Sequence, residues 1–331
     1  MKILITGATG FIGGALLREA QARQWETTAL YRGSRPPTPG VDWRSLDELE
    51  AGAAGGHYDV VVHAAALRHR HGVAAAEYTR NNHYLTARVL DLARDRTDRL
   101  LYVSSIAVYG WPRELPIDES FPMAPVGPYG QSKVDCEQQV RSSGLPFTIV
   151  QPSITYGPGD TNGMMDKILR MAARRRFIVC GLGTTRVQLV YIDDLARLTL
   201  DAAVAERTRG QTFICTYRDP IQMRDLAQES ARAVDGWVPP VGPPKLLLTA
   251  GALGLELLER VGLFRGGEPP MTREKLATVS VDRAYRIDRM RALLGDEPRV
   301  GYAEGLGRTA EALSLGARRR ECATRAHHGS K

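Results

Sequence analysis

The 331-residue sequence has only four cysteines, Cys136, Cys180, Cys215 and Cys322, and no two of them form a CxxC pair. Such sparse, scattered thiols exclude a disulfide framework or a cysteine zinc site and imply a reducing compartment. Long apolar runs are missing too. The longest, Leu246 to Leu255, is cut off by Glu256 and is too short to span a bilayer. The first strand is expected to begin at Lys2, which leaves no room for a signal peptide. A cytoplasmic protein without a membrane span is the expectation. There is no basic tract with interleaved aromatics, so nucleic acid is not an expected partner. The 44 Lys and Arg against 37 Asp and Glu give a mild positive excess that suits small anionic ligands. Arg174-Arg175-Arg176 is the one internal basic run and reads as a solvated helix end. No internal repeat is present.

What the chain does contain is alternation. Short β-branched runs are predicted as strands over 3–6, 27–32, 59–63, 100–104 and 147–151, and a further strand over 187–191. Helical periodicity is predicted over 11–23, 84–94, 129–142, 164–176 and 193–205. This order describes an α/β protein with a parallel sheet wrapped by helices. From about Pro220 onward the sequence reads as helical, broken at Pro239-Pro240 and Pro243-Pro244, and after about Ala317 as a basic, polar tail.

Between the first strand and the first helix stands Thr6-Gly7-Ala8-Thr9-Gly10-Phe11-Ile12-Gly13. Three glycines at this spacing permit a tight turn, close approach of backbone to a pyrophosphate, and close helix–sheet packing. The helix N-terminus adds amide donors and a dipole that favours an anion. A dinucleotide ligand and a Rossmann-type, doubly wound sheet follow. The domain expectation is a dinucleotide-binding domain at 1–157 with about 187–218, and a smaller, mostly helical C-terminal substrate domain at 158–186 with about 219–317. Residues 318–331 are expected to form a flexible tail. The second strand ends in Tyr31-Arg32-Gly33-Ser34-Arg35, without the acid that would bind an adenosine ribose and repel a 2′-phosphate. Arg32, assisted by Arg35, favours NADP over NAD.

Tyr129 and Lys133 stand four apart at a predicted helix start, so hydroxyl and ammonium share one face. A nearby cation would lower the phenol pKa toward a usable acid/base. The strand before them ends in Tyr102-Val103-Ser104-Ser105, where parallel sheets bind ligands and a serine hydroxyl can hold a substrate oxygen. His69, Arg70 and His71 have metal-like types without a ligand set, and read as a solvated loop.

With these motifs the chain resembles the extended short-chain dehydrogenase/reductase family, also described as NAD-dependent epimerase/dehydratase-like, from Lys2 to about Leu315. The likeness further includes Asp42-Trp43, Asp59-Val-Val-Val-His-Ala-Ala-Ala66, Asn82 with Thr86, Val108-Tyr-Gly110, Tyr156-Gly-Pro-Gly-Asp160 and Val190-Tyr-Ile-Asp-Asp194. The resemblance implies that Ser105 polarises the substrate, Tyr129 is the acid/base, and Lys133 binds nicotinamide ribose hydroxyls. It also implies cofactor contacts at Gly7, Thr9, Gly10, Phe11, Ile12, Gly13, Arg32, Asp42, Trp43, Ala64, Ala65, Ala66, Asn82 and Ile154. His63 is expected to be structural, and a homodimer is the implied assembly. Gln151 departs from the family's usual arginine before Pro152.

The Ser/Tyr/Lys set serves reduction, oxidation, epimerisation and dehydration alike. Ile106-Ala107 replaces the acidic residues expected after Ser105 in sugar dehydratases, which argues against elimination. The leucines from Leu246 to Leu258, followed by Pro269-Pro270-Met271-Thr272-Arg273, resemble steroid-dehydrogenase-like and keto-acid-reductase-like members, or form a helix packed on the main domain. The expectation is an NAD(P)-dependent oxidoreductase of a ketone or alcohol on a small, moderately apolar molecule. The alternative is a nucleotide-sugar epimerase or ketoreductase, in which Arg186 would meet the diphosphate.

Overall fold

A computed structural model describes residues 1–34, 36, 38–52, 56–69, 72–161, 163–260, 272, 273, 276 and 280–315. Arg35, Arg70, His71, Pro269 to Met271, Cys322 and the expected tail lie outside the described residues. The central sheet has seven strands: β1 (Lys2–Thr6), β2 (Glu26–Leu30), β3 (Asp42–Arg44), β4 (Val60–His63), β5 (Leu100–Val103), β6 (Phe147–Pro152) and β7 (Gln211–Cys215). Besides the single turn Ala75–Tyr78, the α-helices described are, in chain order, α1 (Phe11–Ala22), α2 (Leu46–Glu50), α3 (Tyr84–Ala93), α4 (Gly127–Ser142), α5 (Met164–Ala173), α6 (Ile192–Val204), α7 (Met223–Ala233), α8 (Lys245–Arg260), α9 (Asp288–Leu294) and α10 (Tyr302–Ala312).

The strand order is β7-β6-β5-β4-β1-β2-β3, with every neighbouring pair parallel. This is the doubly wound Rossmann arrangement, with its switch of direction between β1 and β4. Parallel strands covered on both faces need apolar residues at every position. Ile3, Leu4, Ile5, Val60, Val61, Val62, Leu100 and Leu101 are accordingly all buried. One core layer joins Leu4, Val61, Leu100 and Ile149 of the sheet to Val89 and Leu90 of α3 and to Cys136 and Val140 of α4. Register pairs Thr6 with His63 and His63 with Tyr102, so polar side chains line up where the strands end.

The chain divides into two compact units. The first comprises residues 1–155, 190–218 and 285–299. Its last segment is tied in by an Arg286 amide that donates to the Ile117 carbonyl at 2.8 Å, and by Arg197, which pairs with Asp296. The second unit comprises residues 156–189, 219–284 and 300–331. In it α5, α7 and α10 pack together, and Arg186–Val187 pairs antiparallel with Ile221–Gln222. The single strand expected over 187–191 is two short ones, because buried Gln188 separates Arg186–Val187 from Leu189–Tyr191. Among the described residues, no helix is long and apolar enough to cross a membrane.

Candidate active site

The glycine loop comes first. Gly7 has φ +71°, and a Cβ there would stand 2.7 Å from the Ala65 backbone. At Gly13 a Cβ would collide with the Gly7 carbonyl. Only glycine therefore lets the loop turn, the Ala64-Ala65-Ala66 segment pass beside it, and α1 approach the sheet. The Thr6 hydroxyl accepts the Ala65 amide at 3.1 Å and fastens that passage. Thr9 and Gly10 are exposed, Phe11 and Ile12 half-buried, and no side chain caps α1. Its first amides thus face outward over a backbone cradle that suits a pyrophosphate.

The adenine side is less uniform. Arg32 is exposed two residues beyond β2, and its guanidinium donates to Asn81 Oδ1 at 3.3 Å. Asp42 pairs with Arg44 at 2.9 Å. Trp43 turns into the core and is only 3% exposed. Ile154, just past β6, is half-buried.

On the other side of the switch point the side chains are wired to one another. Ser105 caps the 3₁₀ turn Ile106–Tyr109, accepting the Ala107 amide at 3.1 Å. Its hydroxyl lies close enough to the Tyr129 phenol to act on the phenol's pKa. Lys133 is buried and donates to Tyr102 Oη at 3.2 Å and to the Val103 carbonyl at 3.0 Å. An ammonium has three donors, so one remains for a ribose hydroxyl. Burial pulls the Lys133 pKa down to about 8, although Cys136 and Glu137 act to raise it. Tyr129 departs from expectation. Burial raises its pKa above the ordinary value, and the neighbouring Ser105 hydroxyl only partly offsets that. The lysine points at Tyr102 and a strand carbonyl, so it does not depress the phenol as helix spacing alone implied.

A buried lattice holds this group in place. His63 Nδ1 and Thr6 Oγ1 are 2.7 Å apart, and His63 Nε2 and Thr86 Oγ1 are 3.0 Å apart. Burial first, then the Lys133 charge, lowers the His63 pKa to about 3, so the imidazole is neutral. Asn82 sits in the π-helical turn Thr79–His83. It accepts the Leu67 amide at 2.6 Å and donates to the Leu67 carbonyl at 3.3 Å. It also donates to Ser132 Oγ at 2.9 Å, and Ser132 in turn donates to the Tyr129 carbonyl at 2.8 Å. Asn82 thereby ties the alanine loop to the helix bearing Tyr129. Gln151 accepts from Tyr109 Oη at 2.7 Å and donates to Glu137 Oε1 at 2.8 Å. Glu137 is fully buried and pairs with Arg141 at 3.1 Å, so α4 supplies the nearby cation that residue 151 lacks.

Tyr102, Glu137 and Tyr78 were not singled out from the sequence. Tyr78 stacks edge-on against Tyr129 at 6.0 Å, and exposed His69 does so at 6.1 Å. The signal available for Tyr102 was its place in β5, two residues before Ser104. Among the described residues no group of three His, Cys, Asp or Glu side chains could hold a metal.

A family model described as "NAD dependent epimerase/dehydratase family" matches residues 3–214. The chain is 27% identical to the 2-alkyl-3-oxoalkanoate reductase of Stenotrophomonas maltophilia (strain K279a), over 93% of this chain and 98% of that one. It is 28% identical to the 4-hydroxy-2-methyl-3-oxo-4-farnesyl-3,4-dihydroquinoline-1-oxide ketoreductase of Stigmatella aurantiaca, over 92% and 95%. Among solved structures, the UDP-glucuronic acid 4-epimerase of Bacillus cereus in complex with NAD superposes with a TM-score of 0.74 at 19% identity, covering 95% of this chain and 97% of the other. That last likeness concerns the fold.

Proposed function

The chain belongs to the NAD dependent epimerase/dehydratase family, and from that premise we propose that it is an NADP(H)-dependent reductase of a carbonyl on a small, moderately apolar molecule. The observation that carries this reading is the Ser105 hydroxyl set beside the Tyr129 phenol, lowering its pKa against the effect of burial, with uncharged Ile106 and Ala107 next in the chain. Such a pair can hold one substrate oxygen and give it a proton, and neither Ile106 nor Ala107 adds the further acid or base that elimination needs.

The roles follow from the contacts. Ser105 accepts the Ala107 amide, which leaves its own hydrogen to donate toward a carbonyl oxygen. Tyr129 Oη delivers the proton as that oxygen gains negative charge, and in the reverse direction takes it back. Lys133, anchored by Tyr102 and Val103, would hold the ribose hydroxyls, and the uncapped start of α1 would hold the pyrophosphate. The dinucleotide supplies or accepts the hydride when bound. Arg32 is the candidate partner of a 2′-phosphate.

An apolar substrate is favoured by two features. Both reductase relatives are named for molecules with alkyl or farnesyl groups and span almost the same length as this chain. An open groove of about 530 Å³ lies along the segment that follows Ser105, walled mostly by apolar side chains (Tyr109, Trp111, Phe121 and Val126), with Arg113 and Glu114 at it too. The nucleotide-sugar alternative gains little from Arg186, whose guanidinium is 3.4 Å from Asp282. The test is turnover of purified protein with NADPH against β-keto acids, aryl ketones and sterol ketones. Loss of NADPH absorbance with alcohol formation is expected. Conversion of a UDP-sugar by protein that retains NAD, with no added cofactor, would overturn the reading.

A further inference from the structure

We propose that the second unit docks on a lipid bilayer surface bearing anionic headgroups. The site lies outside the residues given roles in turnover, and it begins with α8, whose apolar face points the wrong way for a core. At 100° per residue, Leu246, Leu253, Leu257, Ala250, Gly254, Leu247, Leu258 and Gly251 occupy one continuous arc without a charge. That arc faces solvent: Leu246 is 80% exposed and Leu257 51%, with Leu247, Leu253 and Leu258 also exposed. The opposite arc carries Lys245, Glu256 and Glu259, together with buried Ala252.

The face continues beyond the helix within the same unit. Gly242 donates its amide to the Gly181 carbonyl at 2.8 Å, and Gly181 donates to the Pro243 carbonyl at 2.9 Å. These bonds set exposed Ile178 and Leu182 beside exposed Val241, directly ahead of Leu246. The Trp237 amide donates to the Ala172 carbonyl, placing a tryptophan that is 54% exposed at the end of α5. From that same end run Arg174, Arg175 and Arg176, all exposed around a shallow cleft. None of the three has a carboxylate partner among the described residues. Arg175 holds φ +55°, a conformation that glycine would adopt at less cost.

Leucines that enter the acyl boundary, a tryptophan at headgroup depth and flanking guanidiniums together match an interfacial, surface-lying element. An exposed apolar patch of roughly a few hundred Å² marks an interaction surface. The choice of occupant rests on charge. The neighbouring carboxylates of Asp166, Glu229 and Glu256 are already paired with Arg170, Arg232 and Arg273. The other charges beside the patch, Lys245 and Arg174 to Arg176 against Glu259 and Asp235, leave a positive balance, which attracts anionic lipid and repels a second copy.

The test is flotation of the full chain with vesicles of phosphatidylcholine alone or with roughly a quarter phosphatidylglycerol. Binding is expected to the anionic vesicles and to weaken as salt rises. Both Leu246→Glu/Leu257→Glu and Arg174→Glu/Arg175→Glu should lower it at least about tenfold. Thermal melts establish that the variants fold. The arginine variant changes only exposed side chains and decides the matter if the leucine variant unfolds. Absence of wild-type flotation overturns the proposal, as does undiminished binding by the folded variants. A wild-type dimer that the leucine variant turns into a monomer overturns it too, because the face then belongs to a second copy. The readout is binding, so its failure is separate from any failure of the proposed turnover.

Discussion

At the C-terminal edge of one sheet, the β1–β2 side and the β4–β5 side are built by different means. On the first, the shape is set by backbone: Gly7 and Gly13 leave no room for a Cβ, and the α1 amides stay uncapped. On the second, it is set by side chains whose polar atoms are buried and bonded to one another, from Thr6 through His63 to Thr86 and from Lys133 to Tyr102. A buried polar group without a partner costs about 1–3 kcal/mol, so such a lattice holds only when it is complete. The contrast suits two tasks. A diphosphate common to many dinucleotides can be bound by main chain alone. A proton donor needs a set position and a shifted pKa, which only neighbouring side chains provide.

The sharpest way to break the contrast is Tyr129→Phe. It removes the proton donor while leaving the glycine loop intact. Turnover should fall by about two to four orders of magnitude, while dinucleotide affinity, followed by fluorescence titration, stays within about twofold. Loss of both together would mean that the two sides are not separate.

Gln151→Leu is the next largest effect. It strands the Tyr109 hydroxyl and removes one partner of buried Glu137. A loss of about 2 kcal/mol in denaturant unfolding is expected, and Gln151→Glu should not restore it, because a second carboxylate would face Glu137. A stability change below about 0.5 kcal/mol would show that the bonds carry no net weight.

This division also explains what could be read in advance. The glycine spacing encodes a backbone shape, so the loop, the first helix and the sheet class were legible. Strand ends slipped by a residue or two, as where 27–32 was expected and Glu26–Leu30 is observed. Strand β3 escaped notice because Asp42–Arg44 is too short for a pattern, whereas Gln211–Cys215 is a short apolar run behind a turn glycine, Gly210, and its signal went unread. Ser105, Tyr129 and Lys133 stood out by motif, but their wiring did not. The Thr6–His63, Asn82–Ser132 and Tyr109–Gln151 bonds join positions 57, 50 and 42 residues apart, and no local period records such pairs. The raised Tyr129 pKa was hidden for the same reason: helix spacing places Lys133 on its face, while strand β5 decides where the ammonium points.

The imidazole in the lattice gives a smaller, pH-dependent effect. The folded pKa of His63 lies near 3, below its ordinary 6.5. The unfolded chain therefore binds the extra proton between those values, and stability falls as pH drops below about 6.5. The contribution should reach about 1.4 kcal/mol by pH 5.5. His63→Gln should be less stable at neutral pH yet show a flatter acid limb in melts between pH 7 and 5. An unchanged limb would mean that His63 titrates normally.

Arg32→Ala gives the smallest effect and tests the backbone side alone. Arg32 is exposed, and among the described residues its side chain bonds Asn81 alone, at 3.3 Å, so its removal should leave folding untouched. A 2′-phosphate pair on an exposed arginine is worth about 1 kcal/mol, so NADPH should bind about fivefold more weakly. NADH carries no such phosphate, and its affinity should not move. If both cofactors weaken equally, Arg32 supports the loop rather than the phosphate, and the main chain alone accounts for dinucleotide binding on this side. If neither changes, the preference for NADP has no basis at the end of β2. In both cases the contrast with the wired side becomes stronger, since no side chain would then be selecting the ligand there.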